Sequence, residues 1–365
     1  MNSFHKLAFL LENFEVPSPA QQLLDRFLIG YPHDGKFHRF HDLEISACVH
    51  PNNAQANFGA RAKEFGLSIL SDPHDAVRDA NAIVIVPAGP GAVASDELVS
   101  IALQAAPRGA VCFVHGVLAS NLELARQQSR RAQSRNISLL AGTPTAVTWR
   151  LPEMDLPLGT TLVEALIVVQ GRSLDAELNG LEGLLPIIER RRGGEKGVRN
   201  VRFLQGKEVW RAGDKGHWSW PLLAAAISRS DSPQGDPVKD GRTQDIVGLG
   251  LVPTLAREPR GWLLEHRDGL RSAILVLDGV VADLNFAVQA RDRTIHSAQL
   301  YRPSPPTEHH FSRLAAVLED FFRTGQAPWP LERNHLIAGV IETFTLPSAR
   351  LTKGLKTPHL SIAYK

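Results

Sequence analysis

Residues 82–86 read AIVIV and residues 110–114 read AVCFV, and a helical stretch separates these two apolar runs. Neither run alternates apolar with polar residues, which is typical of strands buried on both faces of a parallel sheet. Four further runs of this kind are KLAFLL (6–11), LEISACV (43–49), LSIL (67–70) and ISLLA (137–141). Helical stretches fill the gaps at 19–30, Asn53–Gly66, Pro73–Ala80, Ser95–Ala106 and Ser120–Arg135. Because parallel strands need helical crossovers, the pattern predicts a Rossmann-like doubly wound parallel sheet over residues 1–142.

After Thr143-Pro144 the pattern of elements changes. Strands are predicted at Leu162–Val169 and Val198–Gln205, with a helix over Asp175–Arg192 between them. Four more strands follow with only turn residues between them: WLLEHRDG (262–269), RSAILVLDG (271–279), ADLNFAVQARD (282–292) and TIHSAQLYRP (294–303). Helices are predicted at Trp218–Ser228, Glu308–Thr324 and Leu331–Thr345. Short connections favour an open, largely antiparallel sheet, so residues 143–345 are predicted to be an α+β substrate or oligomerisation domain. The remaining residues, 346–365, are predicted to be a tail that packs back on the body.

The composition excludes several classes of protein. Among 365 residues, 40 are Lys or Arg and 38 are Asp or Glu, so the net charge of +2 gives no electrostatic reason to expect a nucleic-acid or membrane partner. Cys48 and Cys112 both lie within apolar runs, which predicts buried thiols and excludes a disulfide framework or a cysteine-based zinc site. The apolar stretch before Glu12 is too short for a secretory signal or a membrane span. We therefore expect a cytoplasmic protein.

The turn after the first predicted strand lacks the usual features of a dinucleotide site. Such a turn needs glycines, because backbone amides must approach the pyrophosphate, and an acidic residue about 20 positions further on binds the ribose. Here the turn reads LENFEVPSP (11–19), with no glycine, two carboxylates and the bulky Phe14. The second strand is followed by His50-Pro51-Asn52, which offers no carboxylate for a ribose. Glu12, Asn13 and Glu15 could instead bind a polyol or a metal, or could simply be solvated.

Three stretches carry a resemblance to a known family. The first runs from Phe65-Gly66 through Asp72-Pro73 to AIVI (82–85), the second is RRRGGEKGVRNV (190–201), and the third is GDKGH (213–217) followed by WPLL (220–223). In their order and spacing, these stretches resemble the glucose-fructose oxidoreductase, inositol dehydrogenase and MocA-like family. The resemblance covers most of the chain. It implies a Rossmann domain that binds NAD or NADP, an α+β domain, and an oxidoreductase that acts on a carbohydrate-like small molecule.

The same resemblance places candidate catalytic residues. His115 stands where the family has its catalytic lysine, and His217 follows Asp214 by three residues, one fewer than in the family pattern, which leaves Trp218 near the usual histidine position. We expect His217 and His115 to be the acid or base, because the imidazole pKa lies near neutrality, and Asp214 to orient the substrate. Asp214 and His217 are predicted at a helix start, where Asp214 could equally be only a capping residue. If a nicotinamide binds, the predicted cofactor residues are Asn13, His50, Asn52 and Pro87; no metal is expected.

Two other readings remain open. The same histidines could serve a cofactor-independent lyase, hydratase or isomerase, or the chain could be a non-catalytic ligand-binding or assembly subunit. A homodimer or higher homo-oligomer is expected in each case, because an open sheet with one apolar face needs a cover. The polar segment at residues 230–243 is predicted to be a surface loop or a lid.

Overall fold

A computed structural model of the chain describes residues 5–49, 56–88, 93–232 and 245–365. These residues form two compact units. Unit 1 comprises residues 1–147 and 302–338, and unit 2 comprises residues 148–301 and 339–365. The domain boundaries at 142 and 345 stay predictions about independently folding domains.

Unit 1 is built on a parallel sheet of six strands. Its first eight strands in chain order are β1 (Lys6–Leu11), β2 (Tyr31–His33), β3 (Lys36–His38), β4 (Glu44–Val49), β5 (Ser68–Leu70), β6 (Ala82–Val86), β7 (Val111–His115) and β8 (Ser138–Gly142). The sheet order is β5-β4-β1-β6-β7-β8, and every neighbouring pair is parallel. Strands β6 and β7 are buried along their whole length, which confirms the doubly wound sheet. The antiparallel hairpin of β2 and β3 was not predicted from the sequence.

Helices of unit 1 cover both faces of this sheet. They are α1 (Pro19–Leu28), α2 (Ala56–Phe65), α3 (Pro73–Val77), α4 (Asp96–Ala105), α5 (Leu122–Ser134) and, from the later part of the chain, α10 (His310–Thr324). Polar side chains begin several of them: the hydroxyl of Ser95 accepts the Leu98 N–H, and the Asn121 amide oxygen accepts the Leu124 N–H. Apolar residues of α10, among them Phe311 and Phe321, belong to the same core as Phe9 of β1.

Unit 2 contains a mixed sheet of eight strands. These are β9 (Trp149–Leu151), β10 (Leu162–Val169), β11 (Val198–Gln205), β12 (Arg257–His266), β13 (Arg271–Asp278), β14 (Leu284–Ala290), β15 (Ile295–Tyr301) and β16 (Leu355–Lys356). The order is β16-β11-β12-β13-β10-β14-β15-β9. All neighbouring pairs are antiparallel except β10 and β13, which are parallel. The predicted open, largely antiparallel sheet is therefore confirmed.

Helices lie on both faces of the sheet of unit 2. The helices are α6 (Leu174–Ile188), α7 (Lys207–Asp214), α8 (Trp220–Ile227), α9 (Val252–Leu255) and α11 (Glu332–Phe344), of which residues 339–344 belong to this unit. On one face, α7 and α8 share a core with Leu166 and Leu275. On the other, Gly180 of α6 lies directly over Ile274, and Phe344 stacks on Trp262 with 3.7 Å between ring centroids. An uncovered face therefore no longer gives a reason to expect a second copy, and the homo-oligomer stays a prediction.

No helix in the described part of the chain is long and apolar enough to span a membrane. Cys48 and Cys112 are buried free thiols, as predicted.

Candidate functional site

A cavity opens in unit 1 where the direction of the strand order reverses. The chain runs from β1 outward to β4 and β5, and then from β6 outward to β7 and β8, so the reversal lies between β1 and β6. Ligands of doubly wound sheets bind at this point, beyond the carboxyl ends of the strands. The cavity has a volume of about 560 Å³ and is lined by Leu11, Glu12, Cys48, Ser71, Pro73, Ala88, Ser95, Glu97, Leu98 and Ile101. Its walls are largely apolar, with two carboxylates at its edge.

The carboxylate of Glu12 is bound to backbone amides in this crevice. One oxygen accepts the Ala88 N–H at 3.1 Å, and the other accepts the Ser95 N–H at 3.0 Å. The backbone N–H of Glu12 also donates to the carbonyl of Val86 at 3.1 Å. The end of β1 is thus tied to the segment that leads from β6 into α4. An anionic ligand here would compete with Glu12 for the same two donors and would be repelled by its charge.

The turn from β1 to α1 does not fit the diphosphate of a nicotinamide dinucleotide. Phe14 is 0% exposed and packs on Phe58, with 5.3 Å between ring centroids, so a side chain fills the position where a glycine-rich turn leaves room. At the start of α1, the Ser18 hydroxyl accepts the Gln21 N–H at 3.2 Å, and Pro19 has no N–H. The turn therefore offers neither the space nor the free backbone donors on which diphosphate binding depends.

The structure brings only part of the predicted cofactor set to this edge of the sheet. Asn13 follows Glu12 and is partly exposed, whereas Pro87 is buried directly after β6. His50 and Asn52 lie outside the described residues, as do residues 233–243 of the predicted loop or lid. Their cofactor roles stay predictions.

His115 is the last residue of β7 and is held firmly at the carboxyl edge of the sheet. Gly116 has a φ of +89°, and its N–H donates to the Gly142 carbonyl at 2.8 Å. The side chain of Asn334 donates to the Gly116 carbonyl and accepts the Leu118 N–H, both at 2.9 Å. The imidazole of His115 is 5% exposed and lies nearly parallel to the ring of Phe311, at 6.1 Å. The position is the one that the sequence predicted.

Asp214 and His217 lie at the end of a helix in unit 2, so the prediction of a helix start at these residues is wrong. Gly216 has a φ of +71°, and the His217 N–H donates to the Ala212 carbonyl, which is the hydrogen bonding that ends α7. The next helix, α8, is capped by Ser219, so Asp214 is not its capping residue. Local spacing alone did not distinguish an end from a start, because glycine and aspartate are common at both.

The exposed side chains of this turn are positioned by a buried ion pair. Arg271 donates to the Gly216 carbonyl at 2.8 Å and to the Glu164 carboxylate at 3.0 Å. Asp214 accepts the indole N–H of Trp220 at 3.2 Å. Partial burial, then the charges of Arg202, Lys215 and Arg271, lower the pKa of His217, so the ring is neutral at pH 7 and can accept a proton. Sequence reasoning missed Arg271 and Glu164, because they lie in different strands.

A metal centre is not supported by the described residues. Nowhere in the described ranges do three His, Cys, Asp or Glu side chains form a group that could hold a metal ion. This is in line with the expectation that Glu12 and its neighbours bind something other than a cation.

Comparison with solved structures identifies the fold. Myo-inositol 2-dehydrogenase from Lactobacillus plantarum aligns with a TM-score of 0.59 and 11% identity over 97% of this chain and 100% of its own. UDP-N-acetylglucosamine 3-dehydrogenase GnnA from Acidithiobacillus ferrooxidans gives 0.51 and 13% over 94% and 99%. Biliverdin reductase from Synechocystis sp. PCC 6803, solved with biliverdin and NADP+, gives 0.54 and 12% over 93% and 97%. The chain has the fold of these dehydrogenases.

The resemblance to the glucose-fructose oxidoreductase, inositol dehydrogenase and MocA-like family is thus confirmed at the level of the fold. No known family profile matches the sequence, and no curated protein matches it.

Proposed function

We propose that this chain acts on a sugar or sugar derivative by acid and base catalysis, as a lyase, hydratase or isomerase, without a nicotinamide dinucleotide. The observation that carries the proposal is the carboxylate of Glu12, which accepts two backbone amides in the crevice where a dinucleotide would lie. The buried ring of Phe14 supports it, because that ring fills the turn that would approach the diphosphate. The dehydrogenases of the same fold that act on inositols and nucleotide sugars support a carbohydrate-like substrate.

The candidate catalytic groups are the ones predicted from the sequence. His115 stands at the carboxyl edge of the sheet of unit 1 and would donate or accept a proton at one ring nitrogen. His217 is neutral at pH 7 because its pKa is lowered, so it would act as a base. Asp214 would bind a hydroxyl group of the substrate.

The first experiment titrates the purified protein with NAD(H) and NADP(H), read by nicotinamide fluorescence and by the shift of Tm. We expect no binding up to about 1 mM. In parallel, neutral sugars, acidic sugars and cyclitols are screened by Tm shift, and those that bind are tested for turnover with no dinucleotide added. Dinucleotide binding in the micromolar range would overturn the proposal.

A variant tests the role of His115. His115→Gln keeps a polar side chain of similar size but cannot exchange a proton near pH 7, so we expect kcat to fall by about 100-fold or more with little change in Tm. His33→Gln, in the hairpin of the same unit, is the matched control. Turnover retained by H115Q would remove His115 from the mechanism.

A second candidate is an NAD(P)-dependent oxidoreductase of a sugar or cyclitol. The cavity at the point of strand reversal favours it, since nucleotides bind there in doubly wound sheets. The structures of this fold solved with NADP+, NAD or NAD(H) also favour it. The titration above distinguishes the two candidates directly.

A further inference from the structure

A second polar region of unit 1 lies where the carboxyl end of β7 meets the first turn of α10. His115 ends β7, and His309 and His310 begin the helix. The ring of Phe311 contacts both sides of this junction: its centroid is 6.1 Å from that of His115 and 4.9 Å from that of His310. The sequence analysis assigned no function to His309 or His310.

His310 carries a buried polar atom for which the described protein supplies no partner. Its side chain is 5% exposed, and Nδ1 forms no hydrogen bond with any described residue. Buried side-chain nitrogens in native proteins are nearly always paired with protein, water or ligand. The ring nitrogen therefore indicates a bound group that completes this region.

The charges around His310 are mainly positive. Arg26 and Arg302 both lie close enough to affect its titration, and Glu308 is the one carboxylate that interacts with both arginines. The guanidinium of Arg26 is fully engaged with Ser312, Gln22 and the carbonyls of Thr307 and Glu308, at 2.8 to 3.1 Å. Arg26 thus contributes charge but no spare donor.

Arg302 can contact a ligand directly. Its side chain is exposed, and it forms no hydrogen bond within the described ranges. A free guanidinium presents paired N–H donors that match the geometry of a carboxylate or a phosphate. Helix α10 has 15 residues and no acidic residue in its first turn, so the positive end of its dipole adds to this potential.

We propose that Arg302, His310 and the first turn of α10 form a subsite for a small anionic group, the carboxylate or phosphate of the substrate. The inference rests on the proposed function and names the substrate class within it, namely an acidic sugar derivative. Arg302 would pair with the anionic oxygens, and Nδ1 of His310 would donate an N–H to them. The subsite contacts the same phenylalanine as His115, which places the anionic group next to the candidate acid or base.

The test compares Arg302→Gln with the parent chain at low ionic strength. The probes are D-glucuronate, D-glucose 6-phosphate, inorganic phosphate and neutral D-glucose, and binding is measured by calorimetry and Tm shift. We expect the anionic probes to bind more tightly than glucose, and R302Q to lose about 10-fold or more of that affinity. R302K should retain part of it. The matched control is Arg130→Gln, an exposed arginine of α5 in the same unit.

Two results would overturn the inference: equal binding of glucose and glucuronate, or anion affinity in R302Q that equals that of R130Q. A preference for glucose 6-phosphate over glucuronate would assign the subsite to phosphate, and the reverse preference would assign it to carboxylate. Because no probe contains a nucleotide, dinucleotide binding in the earlier titration would refute the proposed function and leave this measurement interpretable.

Discussion

At the scale of single residues, Glu12 explains why a nucleotide-binding scaffold differs here from its usual use. A glycine-rich turn leaves amides free for phosphate, whereas here a side chain of the chain itself neutralises two of the amides that border the crevice. The sequence could indicate that Glu12 and Phe14 were unsuited to a diphosphate. It could not indicate that the carboxylate binds Ala88 and Ser95, because these residues lie more than 70 positions away.

Replacing Glu12 tests this role. Glu12→Gln keeps the shape but replaces one acceptor oxygen with an amide group, so one of the two backbone N–H donors loses its partner. We expect the free energy of unfolding to fall by about 1–2 kcal/mol, measured by urea denaturation.

Glu15→Gln is the control for Glu12, since Glu15 lies in the same turn and is exposed. Its stability should stay within about 0.5 kcal/mol of the parent. Equal stability of E12Q and E15Q would show that the carboxylate of Glu12 contributes nothing to the crevice.

At the scale of elements, the turn between α7 and α8 shows how a strand residue controls a candidate base. Arg271 of β13 holds the Gly216 carbonyl and adds a positive charge near His217. A positive charge disfavours the protonated imidazole, so removing it must raise the pKa. The turn is therefore an electrostatic unit as well as a structural one.

We expect Arg271→Gln to raise the pKa of His217, measured by NMR titration of the imidazole protons. Arg172→Gln, which removes an exposed arginine elsewhere in unit 2, should leave that pKa unchanged. A pKa in R271Q that matches R172Q would mean that Arg271 acts on the turn only through its hydrogen bond.

The elements themselves were largely predictable, and their partners were not. Continuous apolar runs such as AIVIV identified β6 correctly, because burial on both faces leaves a local signal. The parallel pairing of β10 with β13 could not be predicted, since register depends on contacts across 100 residues. The helix end at Asp214 was misread because its hydrogen bonds resemble a start in one dimension. The hairpin at Tyr31–His38 was missed because its strands have three residues each.

At the scale of the whole molecule, acid stability depends on buried groups that the site does not use. In unit 2, Glu195 is fully buried, accepts from Arg191 at 3.0 Å and lies 3.0 Å from Nδ1 of His266. Burial alone would raise the pKa of Glu195, but His266 and Arg191 outweigh it and hold the pKa below its usual range. In unit 1, burial and then neighbouring cations lower the pKa of His310 to about 3. Both groups bind protons more readily when unfolded, so stability must fall as the solution is acidified.

Glu195→Gln separates one of these contributions. At pH 7 the variant leaves Arg191 with a weaker buried partner, so we expect a loss of about 3 kcal/mol and a lower Tm. Below the usual glutamate pKa of 4.5, the parent chain progressively loses the same contribution, so the gap in Tm should narrow towards pH 3.

Glu208→Gln, which removes an exposed carboxylate of α7, should show no such dependence. A gap between E195Q and the parent that is constant from pH 7 to pH 3 would contradict the assignment.

The division of unit 1 into residues 1–147 and 302–338 has a consequence for anyone who wishes to study it alone. A gene fragment that stops at codon 147 would encode every strand of the parallel sheet but not α10, which supplies Phe311, Leu314 and Phe321 to the same core. Such a fragment would leave apolar surface exposed and would be prone to aggregate. A usable version needs the two coding segments spliced through a short linker. The evolutionary counterpart is that the later segment could not have been lost without the earlier one losing its fold.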